Sequence, residues 1–238
     1  MHIFYANVEF LEDSQTFDTF LPFVSSERQK SALNYKHQKD KARSLGAGLL
    51  LNYAISKYFP QVPQPVQLEF LPQKKPVIKD HSSICANLSH AGIYAACAVG
   101  SSDIGIDIER VRKVSDALMN KCCTKEELAF LARFEETERK KQFCRIWTRK
   151  ESYIKATGEG LLIDLSLVNV IAADGFIYKN GQKTSFYCQT FDQIEDYFLS
   201  ICEKKTNADF LPAVFAQTVQ KTDLYKAFSA NIQPGAKK

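Results

Sequence analysis

Apolar and polar positions recur along the chain with a period that changes several times. Residues 2–10 alternate like a strand. Ser25 to Tyr35 has helical composition, and between Lys39 and Tyr58 the residues Ala42, Leu45, Leu49 and Tyr53 recur at helical spacing, which predicts a long helix. A proline-rich stretch, Gln61 to Pro65, ends it. Short apolar runs at 66–71, 84–89, 93–100 and 104–111, separated by Gly, Ser and Asp, then read as strands. The pattern returns to helix where Thr124-Lys125-Glu126-Glu127 carries the residues of a capping box, and Glu135 to Thr157 reads as a long helix closed by Gly158. Runs near 166–171, 176–179, 184–190, 197–202 and 212–218 are strand-like again, and Lys221 to Lys238 reads as a short helix with a frayed tail. The order strand, helices, strands, helices, strands makes the fold class α+β. Two similar halves, roughly 1–105 and 106–220, fit that order, which by itself does not prove a duplication.

Composition narrows this only slightly. With 238 residues, of which 45% are hydrophobic and 24% charged, the chain has the make-up of an ordinary globular protein and enough apolar surface to offset the entropy of ordering. Disorder is excluded as the main state. The net charge of +4 permits an anionic partner but forms no dense basic stripe of the kind a duplex-coating protein carries. No stretch approaches the roughly 18 apolar residues of a membrane span, and the N-terminus lacks the regions of a signal peptide. The seven cysteines are irregularly spaced without any C-x-x-C pair, so neither a disulfide framework nor a thiolate zinc site is read from them. They read as small core residues in a reducing compartment, and a cytoplasmic location is expected.

Three clusters offer chemistry. In Gly105-Ile106-Asp107-Ile108-Glu109 a strand would place Asp107 and Glu109 on one face and the isoleucines on the other. Two carboxylates side by side repel unless a cation lies between them or one is protonated, and a hard ion such as Mg²⁺ resolves the conflict. An edge strand whose acids face water would give the same pattern. On the second long helix Trp147, Glu151 and Lys155 share one face at i, i+4 spacing. Ordinary surface pairs have this spacing too, and the chain's single Trp on the stripe is what sets it apart. In Asn87-Leu88-Ser89-His90-Ala91-Gly92 a strand runs into a turn, where Ser89 and His90 could meet a phosphate or simply form the turn. Arg28, Arg43, Lys74 and Lys75 add scattered positive charge. Gly46-Ala47-Gly48 lacks the third glycine of a dinucleotide fingerprint, and no Walker A motif occurs.

Taken in order, Arg43-Ser44, Lys75-Pro76, Asn87-Leu88-Ser89-His90, Gly105-Ile106-Asp107-Ile108-Glu109 and Trp147-x3-Glu151-x3-Lys155 resemble the 4′-phosphopantetheinyl transferases, more narrowly the surfactin-synthetase-activating (Sfp) type, over about residues 25–162. The resemblance implies a pseudo-dimer of two similar α+β halves with the active site between them. It implies transfer of 4′-phosphopantetheine from coenzyme A to a serine of an apo acyl or peptidyl carrier protein, with Mg²⁺ as cofactor and release of 3′,5′-ADP, by a monomer. Asp107, Glu109 and Glu151 would hold Mg²⁺ with the pyrophosphate. Lys155 and His90 would contact phosphates with Ser89 beside them, and Lys155 would also offset charge on the leaving group. Lys75, Arg43 and Ser44 would hold the adenine and 3′-phosphate end, assisted by Arg28. The base for the carrier serine would be Glu127 or Glu151, although Glu127 also occupies the capping-box position. The stretch from Gly158 to about Gln189 would receive the carrier.

Ser31 stands where the family often has a second basic residue, and Lys74 where a glycine usually precedes Lys-Pro. Two other readings compete. A metal-dependent nuclease would place acid and lysine at E-x-K spacing on a strand, not at i, i+4 on a helix. A non-catalytic coenzyme A or carrier-binding protein has no use for Asp107, Glu109, Glu151 and Lys155 together. Shorter holo-acyl-carrier-protein synthases are trimers of half-length chains, so Glu109 and the 238 residues favour the longer type.

Overall fold

The computed structural model of the chain describes residues 1–69, 76–160, 163–205 and 215–229. In chain order the elements are β1 (His2–Asn7), α1 (Ser14–Phe20), α2 (Ser26–Leu33), α3 (Gln38–Tyr58), β2 (Leu68–Glu69), β3 (Val77–Ile78), β4 (Cys85–Ala91), β5 (Tyr94–Gly100), β6 (Ile104–Arg110), α4 (Asp116–Cys122), α5 (Lys125–Leu131), α6 (Glu136–Thr157), β7 (Val168–Asn169), β8 (Phe176–Lys179), β9 (Gln182–Phe191), β10 (Tyr197–Lys204), β11 (Ala216–Thr218) and α7 (Lys221–Ser229).

Two large sheets result, with strand orders β11-β1-β5-β4 and β6-β10-β9-β8-β7, beside a two-stranded sheet of β2 and β3. Each half repeats one plan. A first strand (β1 or β6) leads into helices ending in a long one (α3 or α6), followed later by an antiparallel pair whose last strand lies beside the first: β4–β5 in one half, β9–β10 in the other. This is the expected α+β pseudo-dimer.

Strand alternation decides what faces what. In β5, Ala95, Cys97 and Val99 join the core beneath the first half's helices, while Ala96 and Ala98 turn to a second core. That second core also takes Ile3 from β1, Ile104, Ile106 and Ile108 from β6, and Leu199 and Ile201 from β10, so the sheets pack on one another through it. A third core lies between the second sheet and α6, with Phe143, Ile146 and Tyr153 against Val168, Cys188 and Cys202. Among the described residues no helix is long and apolar enough to cross a membrane.

Most predicted elements are present. The Thr124–Glu127 capping box is fully formed, and Gly158 closes α6 at φ 73°, a left-handed position that suits glycine. Two short helices, α1 and α4, were not anticipated; each follows a capping side chain, Asp13 or Ser115. The strand expected near 212–218 pairs in parallel with β1, in the first half's sheet, and Val219, Leu224 and Phe228 enter that half's core. The chain therefore returns to its starting half after completing the second.

Candidate functional site

The site is built from one edge of each sheet and one face of α6. Gly105 permits this arrangement: a Cβ there would overlap the Ser152 carbonyl oxygen and the Ala156 amide of α6. Helix and strand consequently approach closely enough for the Trp147, Glu151, Lys155 stripe to meet the carboxylate face of β6. The isoleucines of β6 anchor that strand on its other side, as their alternation predicted.

Lys155 Nζ donates to Asp107 Oδ1 at 2.7 Å, to Ser89 Oγ at 3.1 Å and to Ile106 O at 3.1 Å. The Ser89 hydroxyl donates to Asp107 Oδ1 at 2.9 Å and accepts from Ile108 N–H at 3.3 Å. Ser89 has one proton and two lone pairs, and all are committed within the protein. It thus organises the site, whereas the sequence reading placed it beside the phosphates of a ligand. Asp107 is almost completely buried, and its Oδ2 has no hydrogen-bond partner. Burial raises the Asp107 carboxyl above its ordinary range against the opposing pull of Lys155 and Ser89. Glu109 and Glu151 are raised too, first by burial and then by the charge of Asp107; the Trp147 side chain hydrogen-bonds Glu109 and partly offsets this.

A cleft of about 500 Å³ opens beside this network, between the halves. Arg28 and Ser31 of α2, Asn87, Ser89 and His90 of β4, Asp107 and Glu109 of β6, and Lys155 of α6 stand on its walls. Leu51, Leu68 and Leu88 give it an apolar side. His90 is held below the ordinary imidazole range, first by burial and then by Arg43, with smaller contributions from Lys155 and Arg28. Three cationic side chains, Arg28, Arg43 and Lys155, therefore project their fields onto the region around His90, an electrostatic setting for an anionic group.

The remaining expected residues fall elsewhere. Arg43 donates to the Gly92 carbonyl at 3.1 Å and pairs with Asp40; its Nε is buried without a partner, and the cleft is lined by neither Arg43 nor the buried Ser44. Lys75 lies outside the described residues. Glu151 sits half-buried one turn before Lys155, close enough to Asp107 and Glu109 for their charges to raise its pKa.

Glu127 is a structural group. It is 0% exposed and accepts from Thr124 N–H at 2.9 Å, from Val170 N–H at 2.9 Å and from Lys150 Nζ at 2.7 Å. Lys150, equally buried, also donates to the carbonyls of Leu165 and Val168 at 2.8 and 2.5 Å. Burial and these partners account for the Glu127 carboxylate without a ligand, so its position does not support a role as base.

Asn87, Gly105 and Lys150 were missed as parts of this architecture. Asn87 and Ser89 are two apart on β4, and that shared face was the available signal.

The residues fit a hard divalent cation in donor chemistry: Asp107, Glu109 and Glu151 offer oxygen only, and one buried oxygen lacks a partner. As the side chains stand, no three His, Cys, Asp or Glu groups among the described residues gather closely enough to enclose an ion. The pairing of Asp107 with Lys155 accounts for part of this, since the ammonium supplies the countercharge.

Comparison with known proteins gives a consistent assignment. A family model described as the 4′-phosphopantetheinyl transferase superfamily matches residues 103–202, and one described as 4′-phosphopantetheinyl transferase, N-terminal, matches residues 12–102. The matches meet between β5 and β6. The 4′-phosphopantetheinyl transferase Sfp of Bacillus subtilis is 28% identical over 78% of this chain and 84% of its own. Gsp of Aneurinibacillus migulanus is 28% identical over 92% and 93%, and HetI of a Nostoc species 31% over 63% and 65%. The chain belongs to the 4′-phosphopantetheinyl transferases, of the Sfp type.

Proposed function

We propose that the chain transfers the 4′-phosphopantetheine group of coenzyme A to a serine hydroxyl of an apo acyl or peptidyl carrier protein, releasing 3′,5′-ADP, with Mg²⁺ as cofactor. The observation that carries this reading is the pairing of buried Asp107 with partly exposed Lys155, its second carboxylate oxygen spare, at the wall of a cleft between the halves that Arg28 and His90 also line.

Arg28 and His90 stand where they can hold the phosphates of coenzyme A. Lys155 is partly exposed, at 29%, and remains close enough to the cleft to stabilise charge on the leaving phosphate. Asp107 divides its oxygens: Oδ1 fixes Lys155 and Ser89, while Oδ2 is left for a cation, with Glu109 and Glu151 as the other ligands. When bound, Mg²⁺ supplies Lewis-acid polarisation and lets carboxylates and pyrophosphate share the site. With Glu127 enclosed, the serine proton falls to Glu151, directly or through water. The carrier docks along residues 158–189, and its generally acidic surface suits the chain's net charge of +4.

Incubation with coenzyme A, Mg²⁺ and apo carrier domains, followed by mass spectrometry of the carrier, tests this. An adduct of one phosphopantetheine that disappears with chelator is expected. Absence of any adduct across several acyl and peptidyl carriers would overturn the reading.

A further inference from the structure

β4 and β6 lie side by side at the seam of the halves, yet each ends its own sheet and no backbone ladder joins them among the described residues. Side chains satisfy the free edge of β6 instead. Ile106 N–H donates to Asn87 Oδ1 at 2.9 Å, and Ile108 N–H donates to Ser89 Oγ at 3.3 Å. Lys155 Nζ takes the intervening Ile106 carbonyl. The rungs advance two residues on both strands, from 87 to 89 and from 106 to 108, so the strands run in the same direction.

This junction has two consequences. A side chain inserted between two backbones holds them farther apart than the about 4.8 Å of a direct ladder. The wider spacing leaves room for the cleft, whose wall includes both Asn87 and Asp107. Register is the second consequence. Ile106 is fully buried, and a buried amide without an acceptor is costly, so its N–H selects the position opposite Asn87. The seven-pair ladder to β10 sets which face of β6 carries Asp107, so a slip of β6 along β4 would carry Asp107 out of reach of Ser89. Ser89 cannot set the register alone, because its hydroxyl is shared among Asp107, Lys155 and Ile108.

We propose that Asn87 is a positioning residue: its side-chain carbonyl fixes the register and spacing of β6 against β4 and so holds Asp107 between Ser89 and Lys155. It acts through Asp107, and the relevant atom is Oδ1 rather than the amide nitrogen. The activity readout rests on the transferase reading above; the exchange readout does not.

The test compares Asn87→Asp, which keeps an oxygen in place and loses the NH₂, with Asn87→Ala, which loses both. Kinetics are run at a temperature where circular dichroism shows each variant folded, so lowered stability alone leaves kcat unmoved. Asn87→Ala should lose about tenfold or more in kcat with a smaller change in the KM for coenzyme A, while Asn87→Asp stays within about threefold of wild type. In hydrogen exchange without substrates, the Ile106 amide should lose protection in Asn87→Ala and keep it in Asn87→Asp. If Asn87→Ala keeps both its kcat and its Ile106 protection, the proposal is overturned. If Asn87→Asp loses kcat as fully as Asn87→Ala while Ile106 stays protected, holding the Ile106 amide is not what sustains catalysis and the proposal is likewise overturned. Should the wild-type chain transfer nothing to any carrier, the transferase reading fails while hydrogen exchange still decides the clamp.

Discussion

Helix α6 carries two lysine–carboxylate pairs that differ in completeness. Lys150 and Glu127 are both enclosed, and their polar atoms are occupied by each other, by two amides and by two carbonyls. Lys155 and Asp107 form an equally short pair, 2.7 Å, but it borders a cleft and leaves Oδ2 of a buried aspartate without a partner. The first pair ties α5 and the segment after α6 to the helix. The second is incomplete within the protein and gains from a ligand or ion that completes it. A buried polar group with all partners present marks architecture; one left short marks a place where chemistry can occur.

This contrast predicts opposite responses to mutation. Removing one member of the enclosed pair leaves an uncompensated buried charge, so Glu127→Ala should lose about 3–5 kcal/mol of stability. In chemical denaturation, the double variant Glu127→Gln/Lys150→Met should recover much of that loss; if the double variant is as unstable as the single one, the pair is not a self-contained unit. Asp107→Ala should behave the other way. Its transfer rate should fall by about a hundred- to a thousandfold, the range for losing a group that stabilises developing charge, with little change in melting temperature. A melting temperature that collapses along with activity would place Asp107 in the same class as Glu127.

A smaller effect is expected at the contact on which the second pair depends. Gly105→Ala should cost about 1–3 kcal/mol by overpacking and also reduce kcat, because α6 carries Glu151 and Lys155 away from Asp107 as it shifts. Loss of stability with unchanged kcat would show that the close approach serves packing alone. The smallest effect concerns the cleft. Ser31 stands on its wall near Arg28, and Ser31→Arg should lower the KM for coenzyme A about two- to fivefold, the worth of one partly exposed ion pair. The gain should fade with added salt, and a gain that persists in high salt would point to packing instead.

Much of this was legible in the sequence, for identifiable reasons. The long helices and β6 were readable because their apolar positions keep a steady period, and the capping box and Gly158 mark helix ends by local chemistry. Short α1 and α4 bury only Phe17 and Phe20, and Met119 and Cys122, too few positions to establish a period. The placement of β11 beside β1 is decided by tertiary packing and has no local signature. At the site, Asp107, Glu109, Glu151 and Lys155 stood out because spacing puts them on shared faces. Which hydroxyl proton goes to which oxygen did not. Ser89 looked like a phosphate contact until β4 and β6 were seen edge to edge, and Asn87 gains its role only at that junction. Glu127 matched two patterns at once, and its burial against Lys150 separates them.

The most direct test of the contrast is the initial rate of phosphopantetheine transfer from coenzyme A to one apo carrier, measured side by side for Asp107→Asn and for folded Glu127→Gln/Lys150→Met. The account predicts that Asp107→Asn loses transfer while the double variant works at a rate close to wild type. Near-normal transfer by Asp107→Asn, or its loss in the folded double variant, would contradict it.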